Sequence, residues 1–474
     1  MKYFLVIYIF FFITALNAQD KWLISDIKTE TESFYPKDII PIVNQDNNNI
    51  ALLFTNRKVI FGKLYNNKKE LIGTLNNIKI PKKGRIIIGA IYNNHNYTIF
   101  FSNNNKTHFS SVTVNFETRD FSITEDLEIE LKKEKILEFL IRKNKLQILS
   151  VSKNSDILKI RTLTSKGVSD TFDFDLSNQT ITDNLDNDYP LYPLLYGNPN
   201  YSTVEIINNE VPNSLEQSNA FTKLYLNENK LIITNNIFNK FTYIITLDLE
   251  NKSYSFQSLK NKGFGKNQYG SNSNSFIYND KLFTIHSTLD SLNFSAYKLK
   301  NLEFLKSFKI IKGQKIDFKN TPIIQEGGEL DSYRELEKTS KFLRKITQSK
   351  IGITAYSNND DLIITLGASK EIYGNSFSMV NFGLIGGIAY GLLTNNFYNY
   401  NQTKSTRIQC LFDKELNHKQ GIIPLNSFDK IQDFKLMNKD FINPILQSLF
   451  KYKSSFILGN YDKKTGEYIL YKFD

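Results

Sequence analysis

The feature that most constrains the fold of this chain is a pair of short β-strands that returns along its length. In each pair a polar turn leads into an apolar strand, and a second polar turn leads into another strand. Apolar runs bounded by Asn, Asp, Gly and Lys are typical of strands joined in hairpins. Seven such pairs can be followed: Asn49–Phe54 with Val59–Leu64, Tyr97–Phe101 with Phe109–Phe116, Lys145–Val151 with Ile157–Leu163, Leu226–Thr234 with Thr242–Leu247, Ile277–Ile285 with Leu292–Leu299, Leu362–Leu366 with Thr406–Phe412, and Ser455–Gly459 with Glu467–Phe473.

Around the fourth pair the repeating unit expands to four strands. The first three units start roughly 45–50 residues apart, which is the spacing of four-stranded propeller blades. The sequence therefore predicts an all-β fold, a β-propeller of about seven four-stranded blades. A count of six or eight blades, a large β-sandwich and two small β-domains remain as alternatives. The four strands of the expanded unit are Phe221–Leu226, Leu231–Asn235, Thr242–Leu249 and Tyr254–Leu259.

Both ends of the chain belong to the same predicted blade. The seventh pair ends at Asp474 without an outer strand, and Trp22–Ile27 has the pattern of a strand without a neighbour in sequence. Because closing a ring removes exposed strand edges, we expect Trp22–Ile27 to complete the last blade. Residues 19–474 then form one propeller domain.

The first 18 residues have the pattern of a secretory signal peptide. Lys2 precedes the apolar run Tyr3–Leu16, and Ala15–Gln19 offers small residues for cleavage after Ala18 or Gln19. The run is shorter than the roughly 20 residues that a membrane-spanning helix needs, although an uncleaved anchor is the alternative. We therefore expect an exported protein of the periplasm or cell surface, with no transmembrane segment in the mature chain.

Composition narrows the classes of partner. The formal net charge of +11 is compatible with nucleic acid, an acidic polymer or a membrane surface. The lysines are spread along the chain beside abundant Asn and Asp, and export separates the protein from chromosomal DNA, so no nucleic-acid partner is expected. The one cysteine, Cys410, lies in an alternating strand, where a buried structural thiol is expected.

Three insertions interrupt the repeat. Residues 183–212 are rich in Tyr, Pro and Asn and predict an irregular loop. Residues 313–350 contain a predicted amphipathic helix over Glu329–Ser349, and residues 369–403 form a Gly-rich insertion. The apolar positions that recur at helical spacing are Leu330, Tyr333, Leu336, Leu343 and Ile346.

Two of these insertions carry the residues that we single out as candidate partner-binding sites. The Gly-rich insertion holds a flexible apolar segment, and exposed apolar patches often mark a contact with a partner. The alternative is that this segment folds back over a blade or fills the propeller channel. The predicted helix has a basic face, for which a solvated surface is the default interpretation and a docking site for an acidic partner is the sharper hypothesis. The candidates are Phe382, Leu384, Ile385, Tyr390, Leu392 and Leu393 in the insertion, and Arg334, Lys338, Lys341 and Lys345 on the helix.

Catalytic patterns are scarce. The four histidines show no metal-ligand spacing, and neither a nucleophile elbow nor a phosphate-binding loop occurs. The acid pairs Asp173 with Asp175 and Asp360 with Asp361 are most simply solvated residues of a strand and a turn. We expect no catalytic residue, no metal and no cofactor, and therefore a binding protein more than an enzyme.

The segment Lys341–Ile346 through Ile351–Thr354 resembles a group of uncharacterised exported, propeller-like proteins of Gram-negative bacteria. The resemblance covers roughly the last third of the chain, and it implies no activity, because no function is assigned to that group.

The pattern as a whole predicts a propeller that acts as a protein-binding or scaffold module in a cell-envelope assembly. The partner would be an envelope protein. A glycan-binding or glycan-hydrolysing propeller is the alternative, and a purely structural protein without a ligand is a third option. The glycan alternative predicts carboxylates and aromatic rings gathered at one end of the channel, and a channel lined only by Ser, Thr and backbone would count against it.

Overall fold

The structure is a computed structural model. It describes residues 21–27, 35–93, 95–196, 204–227, 229–261, 271–326, 333–369, 393–394, 397–398, 400, 405–438, 441 and 446–474. The predicted signal peptide and residues 370–392 of the Gly-rich insertion lie outside the described residues.

The described residues form a β-propeller of seven sheets, each with four or five strands. The predicted pairs are the middle strands of these sheets, so the predicted fold class is confirmed and the blade count is seven. The strands of sheets one to three are β2 (Asp38–Val43), β3 (Ile50–Thr55), β4 (Val59–Tyr65), β5 (Leu71–Lys79); β6 (Ile86–Asn93), β7 (Asn96–Ser102), β8 (Phe109–Asn115), β9 (Phe121–Thr124); and β10 (Glu134–Arg142), β11 (Lys145–Ser152), β12 (Ile157–Thr164), β13 (Gly167–Asp175).

Sheets four, six and seven depart from the simple repeat of four consecutive strands. The strands of sheets four to seven are β14 (Val204–Ile207), β15 (Thr222–Leu226), β16 (Lys230–Asn235), β17 (Phe241–Asp248), β18 (Ser253–Lys260); β19 (Asn272–Tyr278), β20 (Lys281–Ser287), β21 (Ser291–Lys298), β22 (Phe304–Ile311); β23 (Ile323–Gln325), β24 (Arg334–Leu336), β25 (Lys350–Asn358), β26 (Asp361–Ser369), β27 (Ser405–Phe412); and β28 (Gln447–Tyr452), β29 (Ser455–Asp462), β30 (Glu467–Phe473) with β1 (Lys21–Asp26).

The seventh sheet joins the two ends of the chain. β1 pairs antiparallel with β30, with Ile24 opposite Ile469 and Asp26 opposite Glu467. Leu23 is buried and packs with Phe54, Phe450 and Tyr468 between sheets seven and one. The N-terminal strand therefore supplies the missing outer strand of this sheet, at the place where the sequence pattern puts it.

The sixth sheet takes its outer strands from the chain that precedes its inner ones. The order across it is β25, β26, β27, β23, β24, and Ile324 of β23 lies opposite Arg407 of β27. The connection that follows β27 leads to a helix over Ser427–Met437 and then to sheet seven. The insertion at 313–350 thus completes the sheet from its other side.

A segment of the first insertion enters the centre of the ring. β14 pairs parallel with β15, the first antiparallel strand of sheet four, and lies on its inner side. The helix Leu215–Ser218 follows β14 and contacts β25 and β26 of sheet six. Part of the stretch predicted as an irregular loop is therefore ordered, because it also contains the helix Leu191–Leu195.

The helices bounded within the described residues are α1 (Leu191–Leu195), α2 (Leu215–Ser218), α3 (Thr339–Thr347) and α4 (Ser427–Met437). The prediction of one helix over Glu329–Ser349 was wrong in extent, since α3 begins at Thr339. Arg334–Leu336 is strand β24 instead, because Leu336 pairs with Ile323 and is buried there. In α3 the predicted core residues Leu343 and Ile346 are fully buried.

Candidate functional site

Apolar packing joins neighbouring sheets at most junctions of the ring. Phe101 of sheet two packs with Leu53 of sheet one, and Phe276 of sheet five packs with Ile353 of sheet six, each within a continuous buried cluster. Burial of such side chains is the main favourable contribution to folding. The junction between sheets six and seven is built differently.

At this junction helix α4 and the end of the Gly-rich insertion cover sheet seven. Phe428 and Ile431 of α4 pack with Phe397 and with Phe456 of β29. Among the described residues, no strand residue of sheet six belongs to this cluster. A cleft of about 580 Å³ remains between the cluster and sheet six.

The floor of the cleft is a polar row across three strands. Thr354 of β25 lies opposite Thr365 of β26, which lies opposite Gln409 of β27. All three line the cleft. The alternate residues of these strands, such as Ile353 and Ile364, point to the other face and belong to the buried core shared with sheet five. Alternation along the strands thus gives sheet six one apolar and one polar face.

Two glycines place helix α2 against one end of this floor. A Cβ atom at Gly367 would lie 2.3 Å from the carbonyl oxygen of Thr406 and 2.8 Å from a methyl carbon of Leu215. At Gly352 it would lie 2.7 Å from the hydroxyl oxygen of Ser218. The close approach of α2 therefore requires both glycines, and the row Gly352–Gly367 is covered while the next row is open to the cleft.

The charged groups of the cleft are already engaged with one another. Arg407 lies 2.7 Å from a carboxylate oxygen of Glu326 and donates to the hydroxyl oxygen of Ser405 at 3.0 Å. Asp429 accepts from the Asn426 backbone at 2.8 Å and from the Tyr400 hydroxyl at 3.1 Å. Burial raises the pKa of Asp429 and of Tyr400 above their ordinary values. Each of these two carboxylates therefore has a partner within the cleft.

The uncharged polar side chains of the floor, in contrast, have no hydrogen-bond partner among the described residues. Thr354 and Thr365 are 6% and 8% exposed, and their hydroxyls make no hydrogen bond within the part of the chain that the structure describes. The same holds for the Tyr356 hydroxyl and the Gln409 side-chain amide, which also line the cleft. Thr354 and Thr365 are buried, Tyr356 and Gln409 are half-buried, and all four line the cleft. Their polar groups can therefore bind a ligand or ordered water that enters it.

The candidate residues taken from the sequence do not gather at one site. Leu393 is 7% exposed and packs in the cluster with Phe428, so it is not available for docking. Phe382, Leu384, Ile385, Tyr390 and Leu392 lie outside the described residues.

The basic helix face is not assembled as predicted. Of its four residues only Lys341 and Lys345 lie within α3, and Lys338 is its N-cap. Arg334 lies in β24 and donates to the side-chain oxygen of Gln325 at 2.8 Å. A second depression of about 730 Å³ adjoins this helix. Its lining holds as many acidic as basic side chains and therefore does not favour an anion. The basic ones are Lys315, Lys319 and Lys338, and the acidic ones are Asp317, Glu335 and Glu337.

The residues weighed for catalysis have structural surroundings. Cys410 is fully buried, and burial raises the pKa of its thiol. Asp360 and Asp361 pair with Lys414 and Lys419 at the surface. Within the described ranges no group of three His, Cys, Asp or Glu side chains is arranged to hold a metal ion, and no helix is long and apolar enough to cross a bilayer.

A second polar cluster, which the sequence did not reveal, lies where β14 and α2 enter the ring. Lys223 of β15 is fully buried and donates to the carbonyl oxygen of Ala220 and to the side-chain oxygen of Asn274, each at 2.6 Å. Glu205 lies beside it in the parallel register and accepts from Gln217 of α2 at 3.3 Å. Burial lowers the pKa of Lys223 to about 7 and raises that of Glu205 to about 7.

Neither a protein-family model nor a curated protein matches this chain. Among solved structures, the Dos1 propeller is similar with a TM-score of 0.32 and 10% identity, over 95% of this chain and 94% of that one. Prolyl endopeptidases give a TM-score of 0.31 and 7% identity over 93% of this chain and 50% of theirs. For dihydro-heme d1 dehydrogenase NirN the values are 0.26 and 7%, over 58% of this chain and 47% of that one. Likenesses this distant carry no argument about function.

Proposed function

We propose that this chain is an exported β-propeller that serves as a binding or scaffold module of a cell-envelope assembly, with the cleft of sheet six as its binding site. The observation that carries the proposal is the polar floor. At this junction, in place of interdigitated apolar side chains, the sheet presents hydroxyl and amide groups that have no partner among the described residues. Concave sites with a few unpaired polar groups are the usual form of ligand sites.

Export rests on the N-terminal sequence. Cleavage after Ala18 or Gln19 would leave a mature chain that begins within a few residues of β1, which starts at Lys21. The strand that completes sheet seven would therefore be retained. N-terminal sequencing of the mature protein and fractionation of the producing cell test this part; a cytoplasmic chain that retains Met1 would contradict it.

Binding is favoured over hydrolysis by the state of the carboxylates. A glycosidase needs one carboxyl group to deliver a proton and a second to act as base or nucleophile. In the cleft, Glu326 is paired with Arg407, and Asp429 is held by Asn426 and Tyr400 in the cap of helix α4. The geometry therefore supports a module that holds its partner and leaves it chemically unchanged.

Photo-crosslinking from an exposed residue that lines the cleft tests whether a partner binds there. Leu425 lines the cleft and is 60% exposed. A photo-crosslinking amino acid placed there should capture an envelope component in the producing cell. The same amino acid at Phe304, 45% exposed on the outer strand of sheet five, is the matched control. Equal labelling at both positions, or none at Leu425, would remove the support for this site.

A further inference from the structure

We infer that the ligand of the cleft is an uncharged carbohydrate, held by the hydroxyl and amide groups of sheet six; this rests on the proposed function. The groups available are the hydroxyls of Thr354, Thr365 and Tyr356 and the amide of Gln409. Each can both donate and accept a hydrogen bond. Sugar hydroxyls have the same double capacity, so one ring can satisfy several of these groups together.

The charge of the cleft points to a neutral ligand. The cationic group of Arg407 is matched by Glu326, and Asp429 has two donors of its own. A charged ligand would have to displace one of these partners and leave another charge unpaired in a partly buried place, which is costly. A neutral polyhydroxylated ligand disturbs none of them.

The edge of the sheet argues against an extended peptide. Such a peptide gains affinity by pairing with a free strand edge. The outer edge of β27 is occupied, since Ile324 pairs opposite Arg407. The backbone N–H of Gln409 donates to the Thr321 hydroxyl at 3.0 Å, and the backbone N–H of Leu411 donates to the side-chain oxygen of Asn320 at 2.7 Å. The cleft thus offers side chains to its ligand, and no backbone ladder.

The shape of the site suits a short stretch of sugar rings. The row Thr354, Thr365, Gln409 crosses three strands, and neighbouring strands are about 4.8 Å apart, so the row is about 10 Å long. Tyr356, two residues after Thr354 on β25, and Tyr400 also line the cleft. A tyrosine ring offers an apolar body beside a polar tip, which suits the alternating C–H and hydroxyl surfaces of a sugar.

The test uses the full mature chain and four neutral trisaccharides: maltotriose, cellotriose, mannotriose and triacetylchitotriose. Saturation-transfer NMR and calorimetry should detect binding of at least one. Thr365→Val and Gln409→Ala should each weaken it roughly 3- to 10-fold, as expected for one lost hydrogen bond. Thr171→Val, the same change at an exposed position on β13, should leave it unchanged.

The outcomes separate this inference from the proposed function. If no trisaccharide binds, or if binding survives Thr365→Val combined with Gln409→Ala, the carbohydrate inference is overturned. Capture of a protein through the crosslinker at Leu425, in the absence of sugar binding, would overturn it too but would leave the proposed binding module standing. Loss of sugar binding in the double variant, with unchanged thermal stability, supports the inference.

Discussion

Lys223 donates a hydrogen bond to the side-chain oxygen of Asn274, 2.6 Å away, from a position that solvent does not reach. Asn274 in turn donates to the carbonyl oxygens of Asn219 and of Ile351, at 3.0 and 2.9 Å. The Asn274 side chain of sheet five therefore bonds to Lys223 of β15 in sheet four, to Asn219 just after helix α2, and to Ile351 of β25 in sheet six.

Asn274→Ala should destabilise the protein by about 2–3 kcal/mol, because it leaves a buried ammonium group short of an acceptor. In the Lys223→Met background the same substitution should cost about 1 kcal/mol less, since no buried charge then loses a partner. Urea unfolding of the four proteins measures the difference. An equal cost in both backgrounds would show that Asn274 acts independently of Lys223.

Glu205 should give the protein a pH dependence below neutrality. Burial raises its pKa from 4.5 to about 7, and Glu138 and Lys223 are the charged groups that act on it. Between these two pH values the folded state binds the proton more strongly than the unfolded state, so the contribution to stability is present at low pH and is lost as pH rises towards 7. Between pH 5 and pH 7.5, the change in the free energy of unfolding should be about 1–3 kcal/mol smaller in Glu205→Gln than in the unchanged protein.

In sheet three, breaking the buried ion pair of Arg161 with Glu134 should cost far more stability than breaking the exposed pair of Lys159 with Asp173. Arg161 donates to both carboxylate oxygens of Glu134, at 2.7 and 2.8 Å, and both side chains are buried. Glu134→Gln should cost about 3–5 kcal/mol by leaving Arg161 unpaired. Asp173→Asn is the matched control, because Asp173 pairs with Lys159 at the surface, and it should cost under about 1 kcal/mol. Denaturant titration gives both values.

The polar floor of the cleft should be dispensable for folding. Thr354→Val and Thr365→Val exchange an unused hydroxyl for a methyl group of similar size. We expect each to change the free energy of unfolding by no more than about 0.5 kcal/mol, or to raise it, because no hydrogen bond within the described protein is lost. A loss above about 2 kcal/mol would mean that these hydroxyls have a structural partner.

Ring closure should depend on one face of the N-terminal strand. Leu23 is 8% exposed and packs against sheet one, whereas its neighbour Ile24 is 45% exposed. Leu23→Ala should cost about 2–4 kcal/mol and Ile24→Ala under about 1 kcal/mol. Thermal melts of the two variants compare positions that share the same backbone pairing. Similar melting temperatures would contradict a packed junction between sheets seven and one.

The architecture could be predicted from the sequence because each strand pair is specified by residues close together in the chain. The alternation in pairs such as Lys145–Val151 with Ile157–Leu163 marks the middle strands, and each of these pairs is present. The helix over Glu329–Ser349 failed at its N-terminal half because Leu336 fits both a helical stripe and a strand, and pairing with Ile323 decided between them.

The candidate site could not be predicted in the same way. Thr354 and Thr365 lie on one hairpin, but Gln409 is more than 40 residues further along the chain, and a single polar residue in an apolar strand is ordinary. Their alignment depends on the register of β25, β26 and β27, and the cleft that they line exists because helix α4 packs on sheet seven and not on sheet six.

The pairing of β1 with β30 has a consequence for the order of events during synthesis. β1 cannot pair until β30 has been synthesised, more than 440 residues later, so the ring closes only after both strands are present. Contacts between such distant residues slow folding, and until they form both strand edges stay open to other chains. If the chain is exported as proposed, β1 would need protection from other chains until β30 follows it across the membrane.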